Sequence, residues 1–429
     1  MAGGIEPIAL RRMRIALVSE QASPLTEPGA SGAGSLTLHV AGLATALSAL
    51  GHHVVVYTRR DRPHVPQRVR TADGYEVVHV PAGPATKLNG EEVLAYIGDF
   101  VGFLKLTWKA RRPDVVHAHG WLSGIAAVLS ARDIAVPVVQ TYHSVGTLQR
   151  QDQRANGPAS TKRLAVERLV GHEVARVVAL CSTEARAVLG MGIDRSKLAV
   201  VPRGVDLDLF APGRGPVPRN RPRKIVSAGR LLPRKGFDAL IRALSTVDGV
   251  ELVIAGSGAQ GDVYGDPETK RLLTLARSMG VGDRVVFAGH VPYAELPVLL
   301  RSADVVACTP RDQSSGGVAL EAMACGVPVV ATAVGGLVDA VVDGLTGVLV
   351  PQGKPDAIGK ALRALFADAT QRELLSVAGR DRAHARYSWR RVAADLARNY
   401  SAASDHRSSF VDRRTATRGN ALAPQPDSR

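Results

Sequence analysis

The chain has 429 residues, 45% of them hydrophobic and only 4% aromatic, so roughly two or three domains of about 100–200 residues are expected, with cores of Val, Leu, Ala and Ile. The net charge of +15 draws anions, but the Arg residues are scattered and no dense basic block with interleaved aromatics appears, which sets nucleic acid aside. Cys181, Cys308 and Cys325 lie far apart without metal-ligand spacing, so no disulfide framework or zinc site is expected and a reducing cytoplasm fits; no apolar run reaches the ~18 residues of a membrane span.

Residues 1–12 read as a flexible extension. A short apolar strand over 14–19 opens the pattern, followed by a helix over 35–50 that stops at Gly51. Further strands are expected at 54–57, 77–80, 115–118, 138–140 and 177–180. Short continuous apolar runs fit parallel strands buried on both faces, and helices between them give right-handed βαβ units. Residues 13–205 are therefore expected to form one Rossmann-like domain. The stretch 206–222, rich in Pro, Gly and Arg, reads as a linker.

A second Rossmann-like domain is expected over 223–386, with strands at 224–228, 252–255, 285–287, 305–308, 328–331 and 347–350. Its helices are expected near 236–244, 268–279, 293–302, 318–325 and 355–366. Trp389, Val392, Leu396 and Tyr400 recur at helical spacing, which predicts a helix over 387–401, and the polar tail 402–429 reads as disordered. Two α/β domains of similar size create a cleft between the carboxyl ends of two sheets, where ligands of such sheets bind.

Four segments carry chemistry. The first loop, Gly29-Ala-Ser-Gly-Ala-Gly34-Ser35, lets backbone N–H groups approach an anion at a helix N-terminus, although a plain tight turn is the alternative. It is not a dinucleotide fingerprint, and the second strand runs into Arg59-Arg60 rather than an acid, so a nicotinamide cofactor is disfavoured. In Ser227-Ala-Gly-Arg230-Leu-Leu-Pro-Arg-Lys235-Gly236, two cations sit where a strand ends and the next helix begins. They can hold a diphosphate and neutralise the charge that grows on it as a leaving group. Leu252-Val-Ile-Ala-Gly256-Ser-Gly258 is a strand running into a glycine turn. In Asp312-Gln-Ser-Ser-Gly-Gly-Val-Ala-Leu-Glu321, Gly316 and Gly317 precede a helix, so their N–H groups can meet phosphate. Glu321, one turn in, is an acceptor suited to the two hydroxyls of a ribose. His143 follows a strand at the cleft edge and can bond a sugar hydroxyl; His117 and His119 read as structural. Asp206-Leu-Asp208 matches a metal-holding pattern, but Asp206 reads better as a turn residue.

With these segments in order, the chain resembles the retaining family-4 glycosyltransferases of the GT-B fold over residues 13–400. The resemblance rests on Gly32-Ala-Gly34, Asp114-Val-Val-His-Ala-His119, Gln140-Thr-Tyr-His143, Val201-Pro-Arg-Gly-Val-Asp206, Gly229-Arg230 with Lys235-Gly236, and Leu320-Glu-Ala-Met-Ala-Cys-Gly-Val-Pro328. It implies a nucleotide-sugar donor, with Arg230 and Lys235 on its diphosphate, Glu321 on its ribose, Gly34, Gly316 and Gly317 contacting phosphate through backbone, and His143 near the transferred sugar. It also implies transfer of a hexose with retention, no catalytic metal and no cofactor beyond the donor.

The sequence departs from the family at Gln313. A second Glu is usual there, with seven positions between it and the one matching Glu321; an amide can bond a sugar hydroxyl but supplies no negative charge. Ser315 replaces the usual aromatic. Residues 83–87 and His143-Ser144 are similar to the inositol-phosphate N-acetylglucosaminyltransferases of mycothiol synthesis, which makes Lys87 and Ser144 acceptor candidates. Those enzymes carry Tyr before the Trp matching Trp121; here it is Gly120, and the acceptor stays open. Gln313 keeps a nucleotide-sugar-binding protein of weak turnover as an alternative, and the shared architecture keeps a nucleotide-sugar epimerase as another. The basic surface is compatible with peripheral contact at the inner, anionic face of a membrane.

Overall fold

The computed structural model describes residues 11–26, 34–148, 158–213, 222–256, 263–311 and 315–419. Gln313 therefore lies outside the described residues.

The short Val-, Ile- and Ala-rich runs become strands because their side chains can be buried on both faces of a sheet. In the first half these are β1 (Arg14–Val18), β2 (His53–Arg59), β3 (Arg68–Arg70), β4 (Glu76–Val80), β5 (Val115–His119), β6 (Val138–Thr141), β7 (Arg176–Ala179) and β8 (Leu198–Val200). In the second they are β9 (Arg223–Ala228), β10 (Val250–Ala255), β11 (Val285–Gly289), β12 (Val305–Cys308), β13 (Val329–Thr332) and β14 (Val348–Val350). Among the described residues the first sheet runs β3-β4-β2-β1-β5-β6-β7-β8 and the second β11-β10-β9-β12-β13-β14. All neighbours pair in parallel except β3 with β4. The fold is α/β throughout: two doubly wound parallel-sheet domains.

Alternation along β1 shows the double burial. Ala16 and Val18 join one apolar layer with Phe100, Leu104 and Trp108, while Ile15 and Leu17 join the opposite layer with Leu43 and Leu47. Each sheet reverses its winding between two strands, β1/β5 in the first and β9/β12 in the second. The loops leaving these strands diverge to opposite faces, and a crevice opens at their carboxyl ends.

The final helix, Trp389–Gly419, returns to the first domain. Val392, Ala393, Leu396, Ala397 and Tyr400 pack with Ile15, Leu17, Val40, Leu43 and Leu47, and Tyr400 Oη lies 2.7 Å from His117 Nδ1. This helix runs past residue 401, where the sequence reading began a disordered tail; no Pro or Gly interrupts it before Gly419. Gly42 and Gly204 admit the Trp389 indole, since a Cβ on either would fall within 2.4 Å of its ring. The chain also crosses between domains at Val205, whose N–H donates to Tyr387 O at 2.8 Å. Among the described residues, no helix is long and apolar enough to cross a membrane.

Candidate active site

Arg230, Lys235, Gly316, Gly317 and Glu321 all follow β9 or β12, the strands of the winding reversal, whereas Gly256 follows β10 and Gly258 lies outside the described residues. Arg230 follows β9 directly and is exposed; partial burial, then neighbouring Arg234, lowers its pKa from the usual guanidinium value. The turn Pro233–Lys235 brings the Lys235 stem back over Gly229, with Cδ and Cε 3.7 Å from where a Cβ there would stand. Gly236 then starts the next helix in a left-handed conformation, φ 70°, its backbone pressed against Thr309 just beyond β12. Lys235 and Glu321 both act electrostatically on Cys308 at the end of β12, in opposite directions. Burial outweighs both and pushes the Cys308 thiol up to about 12, which leaves it an inert lining group.

Glu321 lies in the helix Gly317–Ala324 and is buried at 4% exposure. Its Oε1 accepts from Tyr293 Oη at 3.2 Å and lies 3.8 Å from Arg203 Nη2. Burial raises its carboxyl pKa, against the opposing charge of Arg203 and the bond from Tyr293. Arg203 comes from the chain segment leaving the first domain, so this ion pair spans the crevice. It also explains Gly317: a Cβ there would lie 2.3 Å from Arg203 Nη1. Gly316 caps the helix at φ 73°, leaving the Gly317 end of that helix turned to the crevice. A second bridge is close by, where Ser182 donates through N and Oγ to the Asp339 carboxylate at 2.6 and 2.8 Å.

The first domain contributes through β1, β5 and β6. Gly34 is the N-cap of the helix Ser35–Ala49, and among the described residues nothing lies within 4 Å of the place a Cβ would take. His143, just beyond β6, is a non-glycine residue at φ 62°, a conformation that persists only where the surroundings impose it. Its Nε2 lies 2.9 Å from His119 Nδ1. His119, read from sequence as structural, is buried and its ring supports the cleft-edge histidine; His117 is held by Tyr400 and by Thr141 Oγ1 at 2.9 Å. His39, from the helix after β1, adds a third ring with its centroid 4.8 Å from that of His143. Burial first, then the neighbouring His119 and Arg203, holds the His143 pKa well below the usual imidazole range, so the ring is neutral.

The remaining candidates lie on the same domain. Ser144 accepts from Arg163 Nη2 through its carbonyl (2.6 Å) and Oγ (3.2 Å). Lys87 is exposed on the loop after β4, which Arg59 anchors by donating to Pro84 O at 2.7 Å and to Thr86 O. Asp206 does make turn bonds, accepting from the N–H groups of Asp208 and Leu209 at 3.1 and 3.0 Å. Arg203, Tyr293 and His39 were not singled out from sequence; Arg203 stood inside the quoted 201–206 motif without a role.

Glu20, at the mouth of β1, carries a consequence for stability. It is buried, bonded to Ser123 and near Arg59, yet burial pushes its carboxyl up to about 8. A pKa raised in the folded state above the ordinary 4.5 means that the folded chain holds a proton the unfolded chain has released. The stabilisation is present below pH 4.5 and is lost as pH rises through about 8, by at most about 1.4 kcal/mol per pH unit. Glu20→Gln, which cannot ionise, should gain on the unmodified chain in Tm between pH 6 and 9. A Tm difference independent of pH in that range would contradict this account.

Residues 34–204 match the Glycosyl transferase 4-like domain and residues 214–382 match Glycosyl transferases group 1. The D-inositol 3-phosphate glycosyltransferase of Actinosynnema mirum is 36% identical over 411 residues, covering 91% of this chain and 98% of the relative. The chain belongs to the family-4 glycosyltransferases of the GT-B fold. The enzyme of the same description from Mycobacterium tuberculosis is 34% identical, covering 90% of this chain and 82% of its own length. Among solved structures, sucrose-phosphate synthase from Thermosynechococcus elongatus superposes with a TM-score of 0.79 at 28% identity, over 91% of this chain and 98% of that one. Anabaena HepE in complex with UDP and glucose gives 0.70 at 20% identity, over 91% and 100%, which speaks for the fold. As a member of this family the protein is a glycosyltransferase, and the crevice between its two sheets is its candidate active site.

Proposed function

We propose that this glycosyltransferase moves a hexose from a nucleoside-diphosphate sugar to a hydroxyl acceptor with retention of configuration and without a catalytic metal. The observation that carries the reading is that Arg230 and Lys235 lie in the loop after β9 and Glu321 in the helix after β12, the two strands of the winding reversal, with Arg203 reaching Glu321 from the other domain. In this reading Glu321 takes the two ribose hydroxyls, Arg230 and Lys235 grip the diphosphate, and the backbone N–H groups at Gly34, Gly316 and Gly317 approach phosphate oxygens. As the bond from the anomeric carbon to the diphosphate oxygen breaks, negative charge grows on the leaving group between two fixed cations. The neutral His143 ring positions a hydroxyl of the sugar in transfer.

For the acceptor we propose a small phosphorylated polyol. The names of the relatives support this, as do Lys87 and the Arg163–Ser144 pair on the acceptor-side domain. Isothermal titration with UDP, GDP and ADP should give one tight nucleotide, followed by donor turnover with inositol phosphate, and the anomer formed can be read by NMR. A folded protein that binds none of the three nucleotides would remove the reading.

Gln313 favours one competitor, a nucleotide-sugar-binding protein of weak turnover. Gln313→Glu restores a carboxylate and should raise an existing donor turnover of the unmodified chain. If turnover arose only after the substitution, the binding-protein reading would replace the transferase one for this chain.

A further inference from the structure

Three histidines from three separate elements meet beside the crevice: His39 on the helix Ser35–Ala49, His119 at the end of β5 and His143 beyond β6. One ring nitrogen of each lies within 4.8 Å of the other two. Hydrogen bonding does not account for the cluster. His119 Nδ1 and His143 Nε2 use one another, but His39 Nδ1 and His119 Nε2 are buried with no partner among the described residues. An unpaired buried polar atom is unfavourable, and two of them in one cluster point to a ligand that accepts lone pairs. Imidazole is a common metal ligand, and three rings converging from three elements offer one nitrogen each.

We infer that His39, His119 and His143 form a three-histidine site for a borderline-soft divalent cation such as Zn²⁺, and that its occupation holds the transferase off. Tetrahedral Zn²⁺ with three nitrogens at about 2.0–2.1 Å places those nitrogens roughly 3.3 Å apart. The rings thus move inward by about 1.5 Å at most. The fourth position goes to water on the half-exposed side of His143. Arg203 lies near His39 and His143 and opposes a dication, but it is paired with Glu321. Harder ions such as Mg²⁺ prefer oxygen ligands and are not expected here. The inhibition rests on the role proposed above for His143; the binding of the ion does not.

The test uses the full-length chain without a histidine tag. Titration with Zn²⁺ should give one tight site, and Co²⁺ should produce the intense visible bands of tetrahedral coordination. His39→Gln removes one ligand and should weaken Zn²⁺ by at least the 10–100-fold that loss of even an outer partner costs. It should abolish the Co²⁺ bands, and whatever transfer the substituted chain retains in chelator-treated buffer should no longer fall when Zn²⁺ is added back. Equal Zn²⁺ binding by both proteins, or only the pale spectrum of octahedral Co²⁺ with the unmodified chain, would overturn the site. The Co²⁺ spectrum decides by itself if the substituted chain fails to fold. Binding that depends on His39 but leaves transfer uninhibited would overturn the inhibitory part and count against His143 beside the sugar, while nucleotide titration tests the donor reading separately.

Discussion

Lys235→Ala is expected to lower kcat by about 10²–10³-fold, the loss seen when one preorganised group opposite developing negative charge is removed. Its stem lies over Gly229 at the end of β9, and its charge acts on Cys308 at the end of β12. The effect should fall more on kcat than on nucleoside-diphosphate affinity, because the charge it meets is larger in the transition state than in the bound donor. Arg230→Ala should act in the same direction, and the double substitution should cost less than the product of the two, as two cations serve one leaving group. Steady-state kinetics with nucleotide titration on each variant separates the terms. A raised KM with unchanged kcat would demote Lys235 to a plain binding cation.

Gly236→Ala is expected to cost about 3 kcal/mol or more, from left-handed strain and steric conflict together. That corresponds to a fall in Tm of roughly 6–12 °C for a domain of this size. A Cβ at Gly236 would stand 1.8 Å from Thr309 O, a backbone atom fixed by the end of β12, and the site has φ 70°. Gly249 provides the comparison, since it has φ 65° but nothing within 4 Å of its Cβ position. Gly249→Ala should show only the strain, about 1–2 kcal/mol. Equal Tm losses for the two would mean that the contact with Thr309 is not what demands glycine. Because Gly236 follows Lys235, its substitution should also lower turnover, whereas Gly249→Ala should not.

The strands at 14–18, 115–119 and 305–308 were legible because continuous apolar runs bounded by turn residues have few other uses. β3 was not, since Arg68-Val-Arg70 pairs antiparallel at a sheet edge and offers no apolar signal. Within the site, Arg230, Lys235 and Glu321 could be found because each stands at a strand end or helix start. Arg203 could not be given a role, because its partner is 118 positions away across the crevice and only the fold brings them to 3.8 Å. His39 was hidden for a similar reason: it lies buried in a helix that is apolar almost all round, where a histidine signals nothing until His119 and His143 are known to face it.

The closing helix inverts the order in which the molecule is completed. The second domain draws its apolar layers from Val205 to Tyr387 and is whole once that stretch has left the ribosome. The first domain is synthesised earlier but lacks the cover of Val392, Leu396 and Tyr400 until residues 389–403 emerge, and the layer of Val40, Leu43 and Leu47 stays incomplete meanwhile. The older half of the nascent protein is therefore the one exposed to chaperones and proteases for longest, and it matures last.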